Sequence, residues 1–138
     1  MTSPSASAGR VLVVDDEPTI REVVARYLER AGYQLATANS GEEGLELAAR
    51  DMPDLIIMDV IMQGMSGLAA LRALKTNDAT KAIPVIIVTA AVSKQYEAAR
   101  RESTTGGAAR FLTKPISPQQ LLAEIQKIIP LQDKPPAQ

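Results

Sequence analysis

The sequence contains no cysteine and no histidine. Without cysteine there is no disulfide framework and no thiol chemistry, which is the composition expected in a reducing compartment. Without histidine there is no imidazole to act as a general base, a phosphate acceptor or a metal ligand. Any chemistry that this chain performs must therefore be carried by other side chains.

An excess of charge is also missing, because 15 basic residues are balanced by 16 acidic residues. No global charge therefore draws the chain to nucleic acid or to an anionic membrane surface. The apolar runs are far shorter than the ~20 residues that a membrane-spanning helix requires. Residues 1–9 have neither the basic start nor the apolar stretch of a secretory signal. We expect a cytoplasmic protein without nucleic-acid or membrane partners.

A length of 138 residues predicts a single domain with a core that needs no covalent staples. We place that domain at residues 10–130. The flanking segments 1–9 and 131–138 are predicted to be mobile, disordered tails, and the second of them is rich in proline.

Five short apolar runs alternate with five amphipathic segments. The predicted strands are 10–14, 34–38, 54–58, 84–88 and 109–113. The predicted helices open near Pro18, Ser40, Ser66, Ser93 and Ser117. The first is expected to stop at Gly32, the fourth to span about 94–103 before a break at 104–107, and the fifth to stop at Pro130. This alternation predicts an α/β fold, a doubly wound five-stranded parallel sheet with five helices in a three-layer sandwich.

Polar side chains stand where four of these strands end: Asp15, Asp16, Asp59, Thr89 and Lys114. The carboxyl ends of parallel strands share one edge of the sheet, where α/β proteins bind ligands. Three carboxylates in a small space repel one another, and a hard divalent cation such as Mg²⁺ relieves that repulsion. An added lysine and hydroxyl suit a phosphoryl group, with one carboxylate acting as the nucleophile.

Each of these residues also has a plain structural interpretation. The pair Asp15-Asp16 could cap a helix, Asp59 could cap a turn, and Lys114 could be a solvated surface charge. The conjunction of five such residues at strand ends favours a functional site over these separate explanations.

The set Asp15-Asp16, Asp59, Thr89-Ala90 and Lys114-Pro115 resembles the signature of the response-regulator receiver domain of two-component signalling, over about residues 11–129. The resemblance implies the flavodoxin-like strand order 2-1-3-4-5. It also implies that Asp59 accepts a phosphoryl group from a phosphohistidine on a sensor histidine kinase or a histidine phosphotransfer protein.

The resemblance further assigns a metal site and a phosphoryl site. Asp16 and Asp59 would bind Mg²⁺ directly, Asp15 would bind it through water, and the backbone carbonyl of Ile61 would be the third protein ligand, with Mn²⁺ as an alternative ion. The residues that would contact the phosphoryl group are Thr89, Ala90 and Lys114.

A switch is implied as well. Thr89 would move inward on phosphorylation, Phe111 would follow it, and the Lys114-Pro115 bond would be cis. A downstream protein target would then be bound through the face formed by helix four, strand five and helix five. We expect a single-domain regulator that is not an enzyme beyond its own phosphorylation and weak self-dephosphorylation.

Three features depart from the family pattern. Gln63 replaces a proline that usually follows the acceptor, which predicts a less stiff loop. Ile61 and Ala91 flank the expected water path without a polar group, which predicts slow self-dephosphorylation. The 25 positions from Thr89 to Lys114 are a few more than usual, and we place the extra residues in 102–107.

Two alternatives compete with a phosphorylated regulator. One is a degenerate receiver that acts as an interaction scaffold without phosphorylation. The other is a phosphatase of the haloacid-dehalogenase type, which uses an aspartyl nucleophile with Mg²⁺, threonine and lysine on a similar sheet. That family usually has a second aspartate two residues after the nucleophile, and here that position is Ile61.

Overall fold

The structure, a computed structural model, describes residues 9–90 and 95–130. Strands and helices alternate through this part of the chain. The strands are β1 (Arg10–Val14), β2 (Gln34–Ala38), β3 (Leu55–Asp59), β4 (Val85–Ala90) and β5 (Arg110–Lys114). The helices are α1 (Pro18–Ala31), α2 (Gly41–Asp51), α3 (Gly67–Thr76), α4 (Gln95–Thr105) and α5 (Pro118–Ile128).

The five strands form one parallel sheet in the order β2-β1-β3-β4-β5, which confirms the expected order. The register brings the carboxyl ends of the central strands level with one another. Val14 stands opposite Met58, and Asp59 stands opposite Val88. The edge that carries the predicted polar residues is therefore continuous from β1 to β5.

Helices cover both faces of the sheet and make it a three-layer sandwich. Successive strand residues point to opposite faces, so each strand contributes to two cores. On one face, side chains of β1, β3 and β4 pack against Leu28 of α1 and against Leu121 and Ile125 of α5. On the other face, the sheet packs against α2, α3 and α4, with Leu71 and Leu74 among the buried contacts. All five residues of β3 are buried, as expected for a central parallel strand.

Most helix boundaries follow from their caps. Gly32 ends α1 in the left-handed conformation with φ 114°, as predicted. Ser117 and Gln120 form a reciprocal capping box at the start of α5. The equivalent box predicted for α2 forms only in part. Ser40 accepts from the Glu43 amide, but the Glu43 carboxylate accepts from the amide of Asn39 instead of Ser40.

Three strands begin one residue later than predicted. The structure bounds a strand by the backbone hydrogen bonds that pair it with its neighbour, whereas the prediction followed the apolar residues. Residues 54, 84 and 109 fall outside β3, β4 and β5. The shift places Asp59, Thr89 and Lys114 inside their strands instead of just after them. Each of these side chains is thus held by a backbone that is paired on a neighbouring strand.

The end of α4 was predicted wrongly. Thr104 and Thr105 do not break the helix, and instead form its last residues. Their hydroxyls donate back to the carbonyls of Arg100 and Arg101 one turn earlier, which satisfies them within the helix. The chain leaves the helix at the following glycine pair, where Gly107 has φ 95°.

Some predictions fall outside the described residues. These are the cap at Ser93, the flanking residue Ala91, and both tails except Gly9. The carbonyl of Gly9 accepts a hydrogen bond from the amide of Gln34. No helix within residues 9–90 and 95–130 is long and apolar enough to cross a bilayer.

Candidate functional site

The acidic pair follows β1 directly and is held by backbone contacts. Asp15 is buried, and its amide donates to the carbonyl of Ala38 at 3.1 Å. One of its carboxylate oxygens, Oδ1, accepts from the amide of Glu17 at 2.9 Å. Asp16 is half-buried, and its Oδ2 accepts from the amide of Gln63 at 3.1 Å. The pair therefore links the β1–α1 turn to the loop that follows β3.

Asp59 is the last residue of β3 and its side chain is only 8% exposed. Its Oδ1 accepts from the amide of Ile61 at 3.2 Å, and its Oδ2 accepts from Nζ of Lys114 at 3.0 Å. Both carboxylate oxygens thus have a donor on the protein. The carboxylate is fixed in direction by a turn amide on one side and by a cation on the other.

Lys114, the last residue of β5, lies between two carboxylates. Its Nζ is 3.0 Å from Oδ2 of Asp59 and 3.3 Å from Oδ2 of Asp15. Burial lowers the pKa of Lys114, but the hydrogen bonds and charges of Asp59 and Asp15 outweigh burial and leave that pKa raised. The lysine is therefore fully charged at neutral pH and supplies the positive charge that the carboxylates require.

The pKa of Asp59 is raised above its ordinary value. Burial is the largest cause, and the nearby charge of Asp15 adds to it. The hydrogen bond and charge of Lys114 and the amide of Ile61 oppose this shift without cancelling it. A buried carboxylate with a raised pKa is more basic, and hence a better nucleophile, than one exposed to water.

The loop between β3 and α3 approaches Asp59 very closely. The amide of Gly67 donates to the carbonyl of Val60 at 2.9 Å. A Cβ at Gly67 would lie 2.0 Å from the carbonyl oxygen of Asp59, so no residue with a side chain fits there without movement of the backbone. Ser66 precedes this glycine and caps α3 through the amide of Ala69. The first turn of α3 is therefore seated directly on the end of β3.

An open cavity of about 430 Å³ gives access to Asp59. Predicted site residues that line it are Asp16, Asp59, Ile61, Thr89, Ala90 and Lys114. Thr89 is 2% exposed, and the side chain of Ile61 stands at the rim with the residue 49% exposed. The sheet thus brings these predicted residues around one space, whereas Asp15 does not line it and contacts Lys114, which does.

Phe111 lies on β5, and Pro115 follows that strand directly. Phe111 is half-buried on β5 and packs against the core on the α2–α4 side of the sheet. The Lys114-Pro115 peptide bond is cis, as the resemblance implies.

The fit of the donors to a divalent metal can be judged from these contacts. Within the described ranges, no group of three or more acidic side chains converges closely enough to form a metal cage. The available donors are carboxylate and carbonyl oxygens. Mg²⁺ retains several waters and is typically held by one or two carboxylates together with phosphate oxygens, so Asp16 and Asp59 fit this ion rather than one that needs a full protein cage.

Sequence reasoning missed several contributors to the site. Glu17 lines the same cavity and its Oε1 lies 3.9 Å from Nζ of Lys114. Arg21 donates to the backbone carbonyl of Asp15 at 2.8 Å. Gly67 was the one residue of this group that the sequence could have indicated. Glycine is a poor helix former, so a glycine that opens a helix suggests that a neighbouring backbone leaves no room for a side chain. Arg21 gave no comparable indication, because a hydrogen bond from a side chain to a backbone carbonyl leaves no pattern in the sequence.

Comparison with known proteins identifies the family. Residues 11–126 match the response regulator receiver domain. The chain is 38% identical over 120 residues to Protein PilH of Pseudomonas aeruginosa, which covers 87% of this chain and 97% of PilH. It is 39% identical over 122 residues to the response regulator PleD of Caulobacter vibrioides, over 88% of this chain and 26% of PleD. The solved structure of the chemotaxis protein CheY4 of Vibrio cholerae has a TM-score of 0.78 at 34% identity, covering 86% of this chain and 97% of CheY4. The chain belongs to the response regulator receiver domain family of two-component systems.

Proposed function

We propose that this receiver domain is phosphorylated on Asp59 and that phosphorylation changes which partner it binds. One observation supports this proposal above the others. Asp59 carries a buried, basic carboxylate that is paired with Lys114 at 3.0 Å and opens onto a solvent-accessible cavity. A carboxylate that served only to stabilise the fold would need no such opening.

The reaction follows from the positions of the charged groups. A carboxylate oxygen of Asp59 attacks the phosphorus of a phosphohistidine, so a P–O bond forms as the P–N bond breaks and the imidazole leaves. Negative charge spreads over three phosphoryl oxygens during transfer. Lys114 neutralises one oxygen, the hydroxyl of Thr89 donates to another, and the amide of Ala90 stands beside them on β4.

Mg²⁺ would be held by Asp16 and Asp59, by Asp15 through water, and by the carbonyl of Ile61, with Mn²⁺ as an alternative. It would supply further positive charge to the phosphoryl oxygens. With the charge of the acids neutralised in this way, Lys114 would no longer have to bridge Asp15 and Asp59 and would be available to the phosphoryl group. The residues of the chain therefore exchange partners between the resting and the phosphorylated state.

The phosphoryl group would be sensed through Thr89 and Phe111. Thr89 is buried at the end of β4, and Phe111 is half-buried on the neighbouring strand. A shift of Thr89 toward the phosphoryl group makes room for Phe111 to turn inward. To change the active population from 1% to 99%, the phosphoryl contacts must favour that state by about 5.5 kcal/mol. The exposed surface of α4, β5 and α5 would then bind a downstream protein.

The proposed reaction requires a partner protein that donates the phosphoryl group. The phosphoryl donor would be a sensor histidine kinase or a histidine phosphotransfer protein in the cytoplasm. Receiver domains are in general signalling modules rather than catalysts, and here chemistry would be limited to the acceptor itself. We expect the phosphoryl group to persist for minutes or longer, because Ile61 presents an apolar, half-exposed side chain to water that approaches Asp59.

The test uses acetyl phosphate with Mg²⁺ and intact-mass measurement. Wild-type protein should gain the mass of one phosphoryl group, and Asp59→Asn should not. Asp54→Asn is the matched control, because Asp54 comes immediately before β3, at the end opposite Asp59, and its carboxylate accepts from the amide of Arg10. It should be phosphorylated like the wild type.

Other outcomes would support other functions. Metal binding without any adduct, even at the shortest reaction times, would favour an interaction scaffold that needs no phosphorylation. Multiple-turnover hydrolysis of phosphomonoesters would favour a phosphatase. An adduct whose lifetime is only seconds would contradict the expectation of slow dephosphorylation.

A further inference from the structure

Arg21 makes a contact that the proposed chemistry does not by itself explain. It lies one turn into α1, and its Nη1 donates back to the carbonyl oxygen of Asp15 at 2.8 Å. Its side chain is half-buried, whereas Arg26 and Arg30 on the same helix are exposed. In the part of the chain that the structure describes, no carboxylate forms a salt bridge with Arg21.

The helix gains little from an arginine at this position. A cation near the amino end of a helix is opposed by the helix dipole. Ordering a long arginine side chain also costs conformational entropy. A hydrogen bond donated by a charged group is stronger than one between neutral groups, and this bond offsets these costs. The favourable part of the interaction is therefore the contact with Asp15, not the helix.

The orientation of the carbonyl that Arg21 binds affects the next residue, Asp16. The carbonyl oxygen belongs to the peptide plane that also contains the amide of Asp16, and a peptide plane turns as a rigid unit. On the other side of Asp15, the amide donates to Ala38 and the carboxylate accepts from Glu17. With Arg21 at the carbonyl oxygen, the plane that carries the amide and the Cα of Asp16 is held in one orientation, and this is the base from which the Asp16 side chain extends.

We infer that Arg21 is a positioning residue, which orients the Asp15–Asp16 peptide and thereby aims the Asp16 carboxylate into the cavity beside Asp59. This inference rests on the proposed function, in which Asp16 binds the metal. It assigns to α1 a part in building the metal-binding edge, although none of its residues is a proposed metal ligand.

A positioning role for Arg21 can be distinguished from a simple charge effect, because the two predict opposite changes in the affinity for Mg²⁺ when Arg21 is replaced. Removing a positive charge near three carboxylates should by itself strengthen the binding of a divalent cation. Removing a residue that orients a ligand should weaken it, and changes in such supporting contacts typically reduce metal affinity about 10–100-fold. The sign of the change therefore distinguishes positioning from electrostatics.

The experiment compares three variants of the full chain. Arg21→Met keeps the length of the side chain but removes the donor, and Arg21→Lys retains charge and a donor. Arg26→Met removes the same charge from an exposed position of the same helix. Binding of Mg²⁺ alone is measured by ¹H–¹⁵N NMR titration at constant ionic strength, and the hydrogen exchange of the Glu17 amide is measured without metal.

The expected results are specific to each variant. Arg21→Met should bind Mg²⁺ about tenfold more weakly than the wild type, and its Glu17 amide should exchange faster. Arg21→Lys should recover part of both losses, and Arg26→Met should match the wild type in exchange and bind Mg²⁺ at least as tightly. If Arg21→Met folds poorly, Arg21→Leu, which also lacks a donor and a charge, takes its place in the comparison with Arg21→Lys.

Two results would overturn the inference. One is an Arg21→Met protein that binds Mg²⁺ as tightly as the wild type or more tightly. The other is unchanged exchange of the Glu17 amide in that variant. If the wild type itself binds no Mg²⁺, the metal part of the proposed function fails, and the exchange of Glu17 still decides whether Arg21 orders the turn.

Discussion

Substitution of Gly67 by alanine tests the close contact between the first turn of α3 and the backbone at the end of β3. The added methyl group would lie 2.0 Å from the carbonyl oxygen of Asp59 and 2.9 Å from Cα of Val60. These are backbone atoms, so no rotation of a side chain relieves the overlap. Since ordinary contact begins at 3.4 Å, either the loop or the helix must retreat by about 1.4 Å.

The size of the effect follows from two opposing contributions. In an unobstructed helix, replacement of glycine by alanine stabilises a protein by about 0.4–1 kcal/mol. Overpacking a rigid site typically costs about 1–3 kcal/mol, and overlap with a strand backbone belongs at the upper end of that range. We expect the free energy of unfolding to fall by about 2 kcal/mol. For a domain of this length, that corresponds to a fall in melting temperature of roughly 5–10 °C.

Gly41 supplies a matched control. It is also the first residue of a helix, and it also follows a capping serine. Its Cβ would lie 3.2 Å from atoms of Met65, which a shift of a few tenths of an ångström can accommodate. Urea unfolding followed by circular dichroism should show Gly41→Ala within about 1 kcal/mol of the wild type. Equal stability of Gly67→Ala and Gly41→Ala would refute the argument from close approach.

Three further changes have expected outcomes. Lys114→Met leaves the carboxylates of Asp15 and Asp59 without their shared counter-charge. The free energy of unfolding at neutral pH should therefore fall by about 3–5 kcal/mol and recover in acid; a pH-independent loss in denaturant unfolding would contradict this. Since the pKa of Asp59 is raised by burial, its ionisation destabilises the fold as pH rises from 3.8 through the raised pKa. Asp59→Asn should therefore be more stable than the wild type at neutral pH and lose that advantage below pH 3.8, which unfolding curves across that range would test. Ser103 is fully buried, and its hydroxyl has no hydrogen-bond partner among residues 9–90 and 95–130. Ser103→Ala should therefore raise the free energy of unfolding by about 1 kcal/mol; a lower melting temperature would show that the hydroxyl is satisfied.

The sheet and its ligand edge could be predicted because they depend on strong, local patterns. The apolar runs at 11–14 and 55–58 are long enough only for strands, and apolar throughout because both faces are covered. The polar residues that follow them then meet by topology alone. The strand bounds were less accurate, since Asp59 counts as strand by its pairing with Val88 and not by its hydrophobicity.

Other features depend on contacts that periodicity does not encode. Val23 shares the helical spacing of Ile20 and Val24, yet it is 50% exposed because it falls at the edge of the apolar stripe of α1. Arg21 falls near the opposite edge of that stripe, and its turn toward β1 depends on where the carbonyl of Asp15 points. Thr104 and Thr105 show the same limit, because a threonine ends or continues a helix according to its hydroxyl partner.

Because Lys114 lies between Asp15 and Asp59, the protein does not need a bound metal cation in order to fold. The ammonium group of Lys114 donates to both carboxylates, so a counter-ion is built into the chain itself. Chelation of divalent ions should therefore leave the folded population intact, unlike in small domains that fold only around a metal. Under the proposed Mg²⁺-dependent phosphorylation, a change in magnesium concentration would alter the rate at which Asp59 is phosphorylated, while the amount of folded receiver and its resistance to proteolysis would stay constant.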